Sequence, residues 1–240
     1  MFFYLYDNFV LDKKYTGILD HMEARVIELG INGRVEKLLP LRNMKELIEH
    51  GIKQGAHTVV VVGNDHTFLR ALQVVAQYDC SMGFLPFGET KLGAWFGVTD
   101  ALDGCDTLSR RITKQLPLGK ANQIYFLITA TAILPINTQL MCNNKWTIST
   151  QTEAVACSIT IFDQTHIKLF IKPIGQTGGL FRKAKTYHPT ELVVERLALE
   201  HPGQSLPVTL DGVTVVKTPV IITAKPKAIK VIVGKHRQLT

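Results

Sequence analysis

Several features that would identify a class of protein directly are missing from this chain of 240 residues. No run of about 18 apolar residues occurs, which excludes a transmembrane helix. The apolar residues 1–7 follow no basic region and lead to no small-residue cleavage site, so we expect a first buried strand there and not a signal peptide. Low-complexity tracts and internal repeats are also lacking, which excludes repeat architectures.

Cysteine is scarce and scattered. The four cysteines, Cys80, Cys105, Cys142 and Cys157, form no Cys-x-x-Cys pair and no local cluster with histidine. Without an export signal, this pattern indicates reduced thiols in a cytoplasmic protein and gives no support for a structural zinc site.

The composition is that of a globular protein with an excess of basic residues. Apolar residues make up 46% and charged residues 20%, which excludes a disordered chain, and the length allows one large domain or two small ones. Lys and Arg number 27 against 20 Asp and Glu, a formal net charge of +7. This balance favours contact with phosphates or with an anionic membrane surface, and the alternative is an ordinary Lys-rich surface. Basic and aromatic residues do not interleave, so we expect no nucleic-acid partner.

The two halves of the chain differ in pattern, and we predict a domain of residues 1–116 followed by a domain of residues 117–240. In the first half, short apolar runs alternate with helical periodicity, which predicts a doubly wound α/β layer. The predicted strands are 2–6, 33–38, 57–62 and 82–85, and the predicted helices are 15–29, 43–53, 67–78 and 100–111.

In the second half the helical patterns nearly vanish, and short strands separated by turn residues predict an antiparallel β-sandwich or barrel, of which we favour the sandwich. The dipeptide Asp211-Gly212 between two β-branched runs predicts a hairpin. The predicted strands are 124–131, 145–149, 154–162, 165–172, 191–197, 208–210, 220–224 and 228–233.

A candidate phosphate-binding turn follows the β-branched strand of residues 58–62. Gly63 permits a tight turn and a close approach of a phosphate, and Asn64, Asp65 and Thr67 then open a helix whose N-terminal amides bind anions. Asp65 could hold a magnesium ion or accept a proton from a hydroxyl nucleophile. The alternative is that these polar residues only cap the helix. His66 has two interpretations as well: it donates to a phosphate, or it caps or covers the helix.

A second candidate loop spans residues 85–93. Gly88 and Gly93 keep side chains out of the way, and Thr90 and Lys91 supply a hydroxyl and a cation, a composition suited to phosphate binding. On composition alone it is also an ordinary connection between a strand and a helix.

Together the two loops resemble those of the diacylglycerol kinase catalytic family, within the wider group of lipid and NAD kinases. That family carries Gly-Gly-Asp-Gly-Thr after a strand, where this chain has residues 63–67, and later a Pro-x-Gly-Thr-x-Asn-Asp loop with a Leu-Gly-Ile step. Pro86, Gly88, Thr90 and residues 96–98 occupy the frame of that loop. The similarity continues at residues 118–127, 210–212, 218–219 and 225–231, so that it spans most of the chain.

The chain departs from the family pattern at several positions, so that what it resembles is a divergent member of that group. Residues 6–9 stand where the family has an Asn-Pro-x-x-Gly phosphate loop. Asn64 and His66 stand where the family has two glycines, and we expect their side chains to narrow the pocket that the resemblance implies. The second loop is one residue shorter and lacks the Asn-Asp pair. The acid of a terminal Asp-Gly-Glu motif, to which the family assigns proton acceptance, is Val213 here.

The resemblance implies an N-terminal α/β nucleotide-binding domain and a C-terminal β-sandwich. It also implies transfer of phosphate from ATP to a lipid hydroxyl in the cleft between the two domains. Mg²⁺ is the implied cofactor, and its ligands are left unassigned. Whether the chain is active stays open, with a kinase favoured. It implies Asp65 as the catalytic acid and a nucleotide site formed by Gly63, Asn64, Asp65, His66, Thr67, Gly88 and Thr90. One alternative is a degenerate kinase that binds a nucleotide or another phosphorylated ligand without turnover. Another is a kinase for a soluble substrate, like the NAD kinases.

The resemblance also suggests partners. A lipid kinase meets its substrate at an anionic membrane, so peripheral attachment at the inner membrane surface accompanies the cytoplasmic expectation, and a homo-oligomer stays open. The basic group Arg182, Lys183 and Lys185 is a candidate for that contact. For Lys225, Lys227 and Lys230 we favour instead a solvated edge strand, because lysine commonly protects exposed edges.

Overall fold

The computed structural model describes residues 1–152, 154–174 and 189–238. The chain divides into two compact units, the first formed by Met1–Leu116 with the C-terminal residues from Ala228, and the second by Pro117–Lys227. The helices are α1 Thr16–Glu28, α2 Met44–Lys53, α3 Asp65–Val75, α4 Lys91–Phe96 and α5 Ala101–Arg110.

The strands of the first half are β1 Phe2–Asp7, β2 Gly33–Leu38, β3 Thr58–Gly63 and β4 Ser81–Pro86. Those that follow are β5 Thr113–Ala121, β6 Ile124–Phe126, β7 Thr129–Leu134, β8 Gln139–Cys142, β9 Trp146–Ser149, β10 Val155–Ile161, β11 Ile167–Pro173, β12 Thr190–Val194, β13 Arg196–Glu200, β14 Pro207–Leu210, β15 Thr214–Lys217 and β16 Val220–Ile232.

The first unit is built on a parallel sheet in the order β2-β1-β3-β4, with the C-terminal end of β16 parallel to β4. The four valines of β3, residues 59–62, are fully buried, as expected for a parallel strand covered on both faces. The predicted α/β layer is therefore confirmed.

The C-terminal residues differ from the predicted domain of residues 117–240. Residues from Ala228 group with the first unit because Lys230 and Val231 of β16 pair with Ser81 and Met82 of β4. The two predicted strands 220–224 and 228–233 are one strand, β16. Pro226 lacks an N–H, but residues 225–227 are exposed, so no ladder donor is needed there.

The second unit is an antiparallel β-sandwich, as predicted. One sheet holds β12-β11-β10-β7-β14-β15, and the other brings together the N-terminal part of β16 with β13, β8 and β9. Alternate residues of both sheets point into one core, for example Ile159 and Leu169 from the first and Leu140 and Leu199 from the second. The predicted strand 124–131 is divided between β6 and β7, and 191–197 between β12 and β13.

The predicted hairpin at Asp211-Gly212 joins β14 and β15. Both residues have positive φ, 52° and 71°, and they are the central residues of a turn that the Val213 N–H closes on the Leu210 carbonyl. Leu210 pairs with Thr214, so three residues connect the two strands. No helix in the described part of the chain is both long and apolar enough to cross a bilayer.

Candidate functional site

The carboxyl ends of β1, β3 and β4 meet at one edge of the first unit's sheet. Gly63 pairs with Pro86, and Tyr6 pairs with Val62, so Asp7, the 63–67 turn and the 86–93 loop lie together. Ligands of open α/β sheets bind at such an edge. The pattern of the sequence predicted this place for the turn, and the structure agrees.

The turn opens α3 through its polar side chains. The Asn64 side chain caps the helix by accepting a hydrogen bond from the Thr67 N–H at 3.0 Å. Thr67 is buried, and its hydroxyl donates to the Asp7 carboxylate. A Cβ at position 63 would lie 3.1 Å from the Asp7 Cβ, a tight contact that would push the two strand ends slightly apart.

Asp7 is a site residue that sequence reasoning did not select. Its Oδ2 is engaged by Thr67, while Oδ1 accepts only a long hydrogen bond, 3.4 Å, from the Phe9 N–H. The signal was present, because an acid directly after the first strand of an α/β layer falls at the ligand-binding edge. A carboxylate therefore stands beside the glycine turn where a phosphate would approach.

Asp65 is held by the second loop. Its Oδ1 accepts a hydrogen bond from the Thr90 hydroxyl, and its Oδ2 accepts from the backbone N–H of Lys91 at 2.8 Å and of Leu92 at 3.3 Å. These are donors of the first turn of α4, which otherwise lack partners within the helix. The structure thus brings Asp65 and Thr90 together, with Asp65 acting as a cap across two helices.

The remaining predicted residues lie around this contact. Thr90 caps α4 by accepting the Gly93 N–H at 2.9 Å. Gly88 is exposed with φ of 80°, a conformation that favours glycine. His66 is exposed and makes no hydrogen bond to a described residue, and since Asn64 supplies the cap, the capping interpretation of His66 has no support.

Three aromatic rings border the same edge. Tyr15 contacts Phe9 and Phe87 edge to face, with ring centroids 5.6 Å and 5.7 Å apart. Phe9 and Tyr15 are only partly buried, so together they offer an apolar surface beside the polar turns.

Val213 lies in the second unit and closes the β14–β15 turn, its N–H donating to the Leu210 carbonyl at 2.9 Å. The acid beside it is structural. The Asp211 carboxylate accepts the backbone N–H groups of Leu127, Ile128 and Thr129 at 2.7–2.8 Å. Burial raises the pKa of Asp211, and these three donors oppose the rise.

Metal ligands do not cluster in the described part of the chain: no group of three or more His, Cys, Asp or Glu side chains there is placed to hold an ion. Magnesium at a nucleotide needs only one or two carboxylates besides the phosphates. Asp7, with one weakly engaged oxygen, fits that need better than Asp65, whose two oxygens are both used.

The prediction that Lys225, Lys227 and Lys230 lie on an edge strand is wrong, because β16 pairs with β13 through its N-terminal part and with β4 through its C-terminal part. Lys230 pairs with Asp79 at 2.7 Å, and Lys225 and Lys227 are exposed on β16. The group of Arg182, Lys183 and Lys185 lies outside the described residues.

Comparison with known proteins finds similar structures but no similar sequence family. No family model matches the chain, and no curated protein matches it. Three solved structures from Bacillus anthracis str. Sterne match over nearly the whole length, one described as a diacylglycerol kinase and two as candidate diacylglycerol kinases. The first has a TM-score of 0.75 at 11% identity and covers 98% of this chain and 97% of its own. The other two have a TM-score of 0.76 at 11% and 12% identity and cover 97% of both chains. This chain therefore has the two-part fold of those kinase structures.

Proposed function

We propose that the chain binds a nucleotide at the carboxyl edge of the first unit's sheet, and that it transfers phosphate slowly or not at all. The observation that carries this proposal is the state of Asp65, whose carboxylate has both oxygens committed to the first turn of α4. A general base must accept a proton from its substrate, and of the roughly four lone-pair positions of this carboxylate three already accept hydrogen bonds that hold the start of α4. Val213, a hydrocarbon, stands at the other position that the family resemblance links with proton acceptance.

Binding itself has better support. The first amides of α3 provide the anion-binding end of a helix at this edge, and the exposed Gly88 of the neighbouring loop carries no side chain that would obstruct a phosphate. The partly buried rings of Phe9 and Tyr15 offer a surface for a base. Magnesium would be held by Asp7 together with the phosphates, and when bound it would offset their charge against that carboxylate.

The second candidate is an active ATP-dependent lipid kinase. It is favoured by the length of the structural likeness, 97–98% of this chain, to structures described as diacylglycerol kinases. In that case the acceptor is a lipid hydroxyl, and attachment to an anionic membrane surface follows as part of the proposal. The lack of nucleic-acid binding remains a prediction, and a homo-oligomer stays open.

The test of binding is thermal denaturation with ATP, ADP and NAD at millimolar concentration, with and without Mg²⁺. Ligand at 100 times its dissociation constant stabilises a folded protein by about 2.7 kcal/mol, which for a chain of this size raises the melting temperature by about 5–10 °C. No shift with any of the three would contradict the proposal.

The test of turnover is transfer of labelled phosphate from ATP to diacylglycerol in mixed micelles. We expect a rate far below the about 1–100 s⁻¹ typical of kinases. Val213→Glu should raise it, because general-base help is typically worth about 10²–10⁴-fold. Val215→Glu adds the same charge at an exposed position of β15, two residues after Val213, and should leave the rate unchanged.

Each result separates the candidates. A wild-type rate in the kinase range would establish the lipid kinase and overturn slow turnover. Nucleotide binding with no transfer by wild type or Val213→Glu would establish the binding protein. A rate unchanged by Val213→Glu and abolished by Asp65→Ala would assign the essential acid to the α/β unit.

A further inference from the structure

A cavity of about 690 Å³ lies within the first unit, and neither Asp7 nor Gly63 lines it. Its walls come from α4 and the connection to α5, from one face of α5, and from the residues after β16. Thr90 is the only one of the predicted site residues among its lining. A volume of this size is typical of sites for small molecules.

Three cationic or donor side chains line the cavity without a partner. Arg110 ends α5, and Lys235 and His236 follow β16; all three are exposed, and none makes a hydrogen bond or ion pair with a described residue. The C-terminal end of α5 attracts Arg110 by its dipole, but that effect does not account for the residues after β16. The gathering of these groups from distant parts of the chain makes the cavity attractive to an anion.

Two polar side chains of α5, Thr107 and Asp103, also line the cavity, and each has a hydrogen-bonding atom without a partner in the described chain. Thr107 is only 2% exposed, and its hydroxyl has no hydrogen-bond partner among the described residues, although buried hydroxyls are normally bonded. Asp103 uses Oδ2 to accept the N–H and the hydroxyl of Thr99, at 2.9 Å and 3.3 Å, and its Oδ1 accepts nothing from the described chain. A carboxylate oxygen in that state suits a ligand hydroxyl.

We propose that this cavity binds a small phosphorylated polyol, free or as the headgroup of a lipid. The phosphate lies against Arg110, Lys235 and His236, because guanidinium and ammonium groups form the strongest hydrogen bonds with phosphate oxygens. A hydroxyl of the same ligand donates to Asp103 Oδ1. An oxygen atom of the ligand accepts a hydrogen bond from the Thr107 hydroxyl. The cavity shares Thr90 with the proposed nucleotide site, but the proposal rests on Arg110, Lys235, His236, Asp103 and Thr107, which are not part of that site.

The test is isothermal titration of the nucleotide-free protein with glycerol 3-phosphate, with inorganic phosphate and glycerol as partial ligands. We expect glycerol 3-phosphate to bind more tightly than phosphate, and glycerol not to bind. Arg110→Ala and Lys235→Ala should each weaken binding about tenfold or more, the loss that follows removal of one charge-assisted hydrogen bond. Arg70→Ala and Lys217→Ala remove the same charges at exposed positions without partners in the described chain, and should leave the affinity unchanged.

Thr107→Val separates a binding role from a structural one. The variant removes a hydroxyl without a partner, so the free protein should melt at the same or a higher temperature while glycerol 3-phosphate binds more weakly. Flotation with phosphatidylglycerol vesicles, against phosphatidylcholine vesicles, shows whether the ligand is a lipid headgroup. The proposal is overturned if neither glycerol 3-phosphate nor phosphatidylglycerol binds, or if Arg110→Ala and Lys235→Ala bind like their controls.

Discussion

Replacement of Asp65 by alanine tests whether this carboxylate holds two helices together. The substitution removes the acceptor for the Thr90 hydroxyl and for the N–H groups of Lys91 and Leu92. Loss of a helix cap costs about 0.5–2 kcal/mol, and loss of a hydrogen bond to a charged group about 1.5–3 kcal/mol. Lys91 is exposed, so water can replace the hydrogen bond that its N–H loses, and the bond from the Leu92 N–H is long. The expected loss of stability is therefore near the lower end of these ranges.

We therefore expect Asp65→Ala to destabilise the protein by about 2 kcal/mol and to lower its melting temperature by about 4–8 °C. The measurement is urea and thermal denaturation followed by circular dichroism. Asp65→Asn keeps one acceptor oxygen and should lose about half as much stability.

The matched control is Asp100→Ala. Asp100 caps α5 by accepting the N–H groups of Leu102 and Asp103 at 2.9 Å and 3.0 Å, but it joins no second helix. Its loss should cost about 1 kcal/mol. If Asp65→Ala melts within about 1 °C of wild type, or costs less than Asp100→Ala, the carboxylate is not a structural cap, and the argument for slow turnover fails with it.

Three further predictions concern other carboxylates. Asp7→Asn keeps an acceptor for the Thr67 hydroxyl but removes the negative charge beside Gly63. It should therefore tighten nucleotide binding in the absence of Mg²⁺ and reduce the increase in affinity that Mg²⁺ gives. Equal Mg²⁺ dependence of the affinity in wild type and variant would contradict this. Asp211→Ala leaves three N–H groups of residues 127–129 without their acceptor and should cost about 3 kcal/mol by urea denaturation, whereas a cost below about 1 kcal/mol would contradict that role. Hydrogen bonds from the Thr165 and His166 N–H groups lower the pKa of Asp163 to about 2. Since the folded pKa lies below the unfolded value, the ionised carboxylate stabilises the β10–β11 turn above about pH 4 and loses that effect as the pH falls toward 2; a carboxyl NMR titration with a midpoint near 4 would contradict this.

Much of the fold was determined by local sequence pattern. A run of valines followed by Gly63 and three polar residues predicts a buried parallel strand and a helix start, because strand burial and helix capping depend on neighbours in the chain. The positive-φ turn at Asp211-Gly212 is local in the same sense. These patterns were sufficient to predict an α/β layer, a β-sandwich and the edge at which the candidate turn lies.

Tertiary structure decided what those side chains do. Asp65 meets the start of α4 across 25 residues of chain, and Asp7 meets Thr67 across 60, so neither contact has a local signature. For the same reason the sequence showed neither the return of β16 to the first unit nor the meeting of Arg110 with Lys235 at one cavity. Sequence pattern specifies which residues can cap, turn or bind. Contacts between distant segments decide which of these groups are already occupied by the protein itself. Those contacts form only when the layers pack.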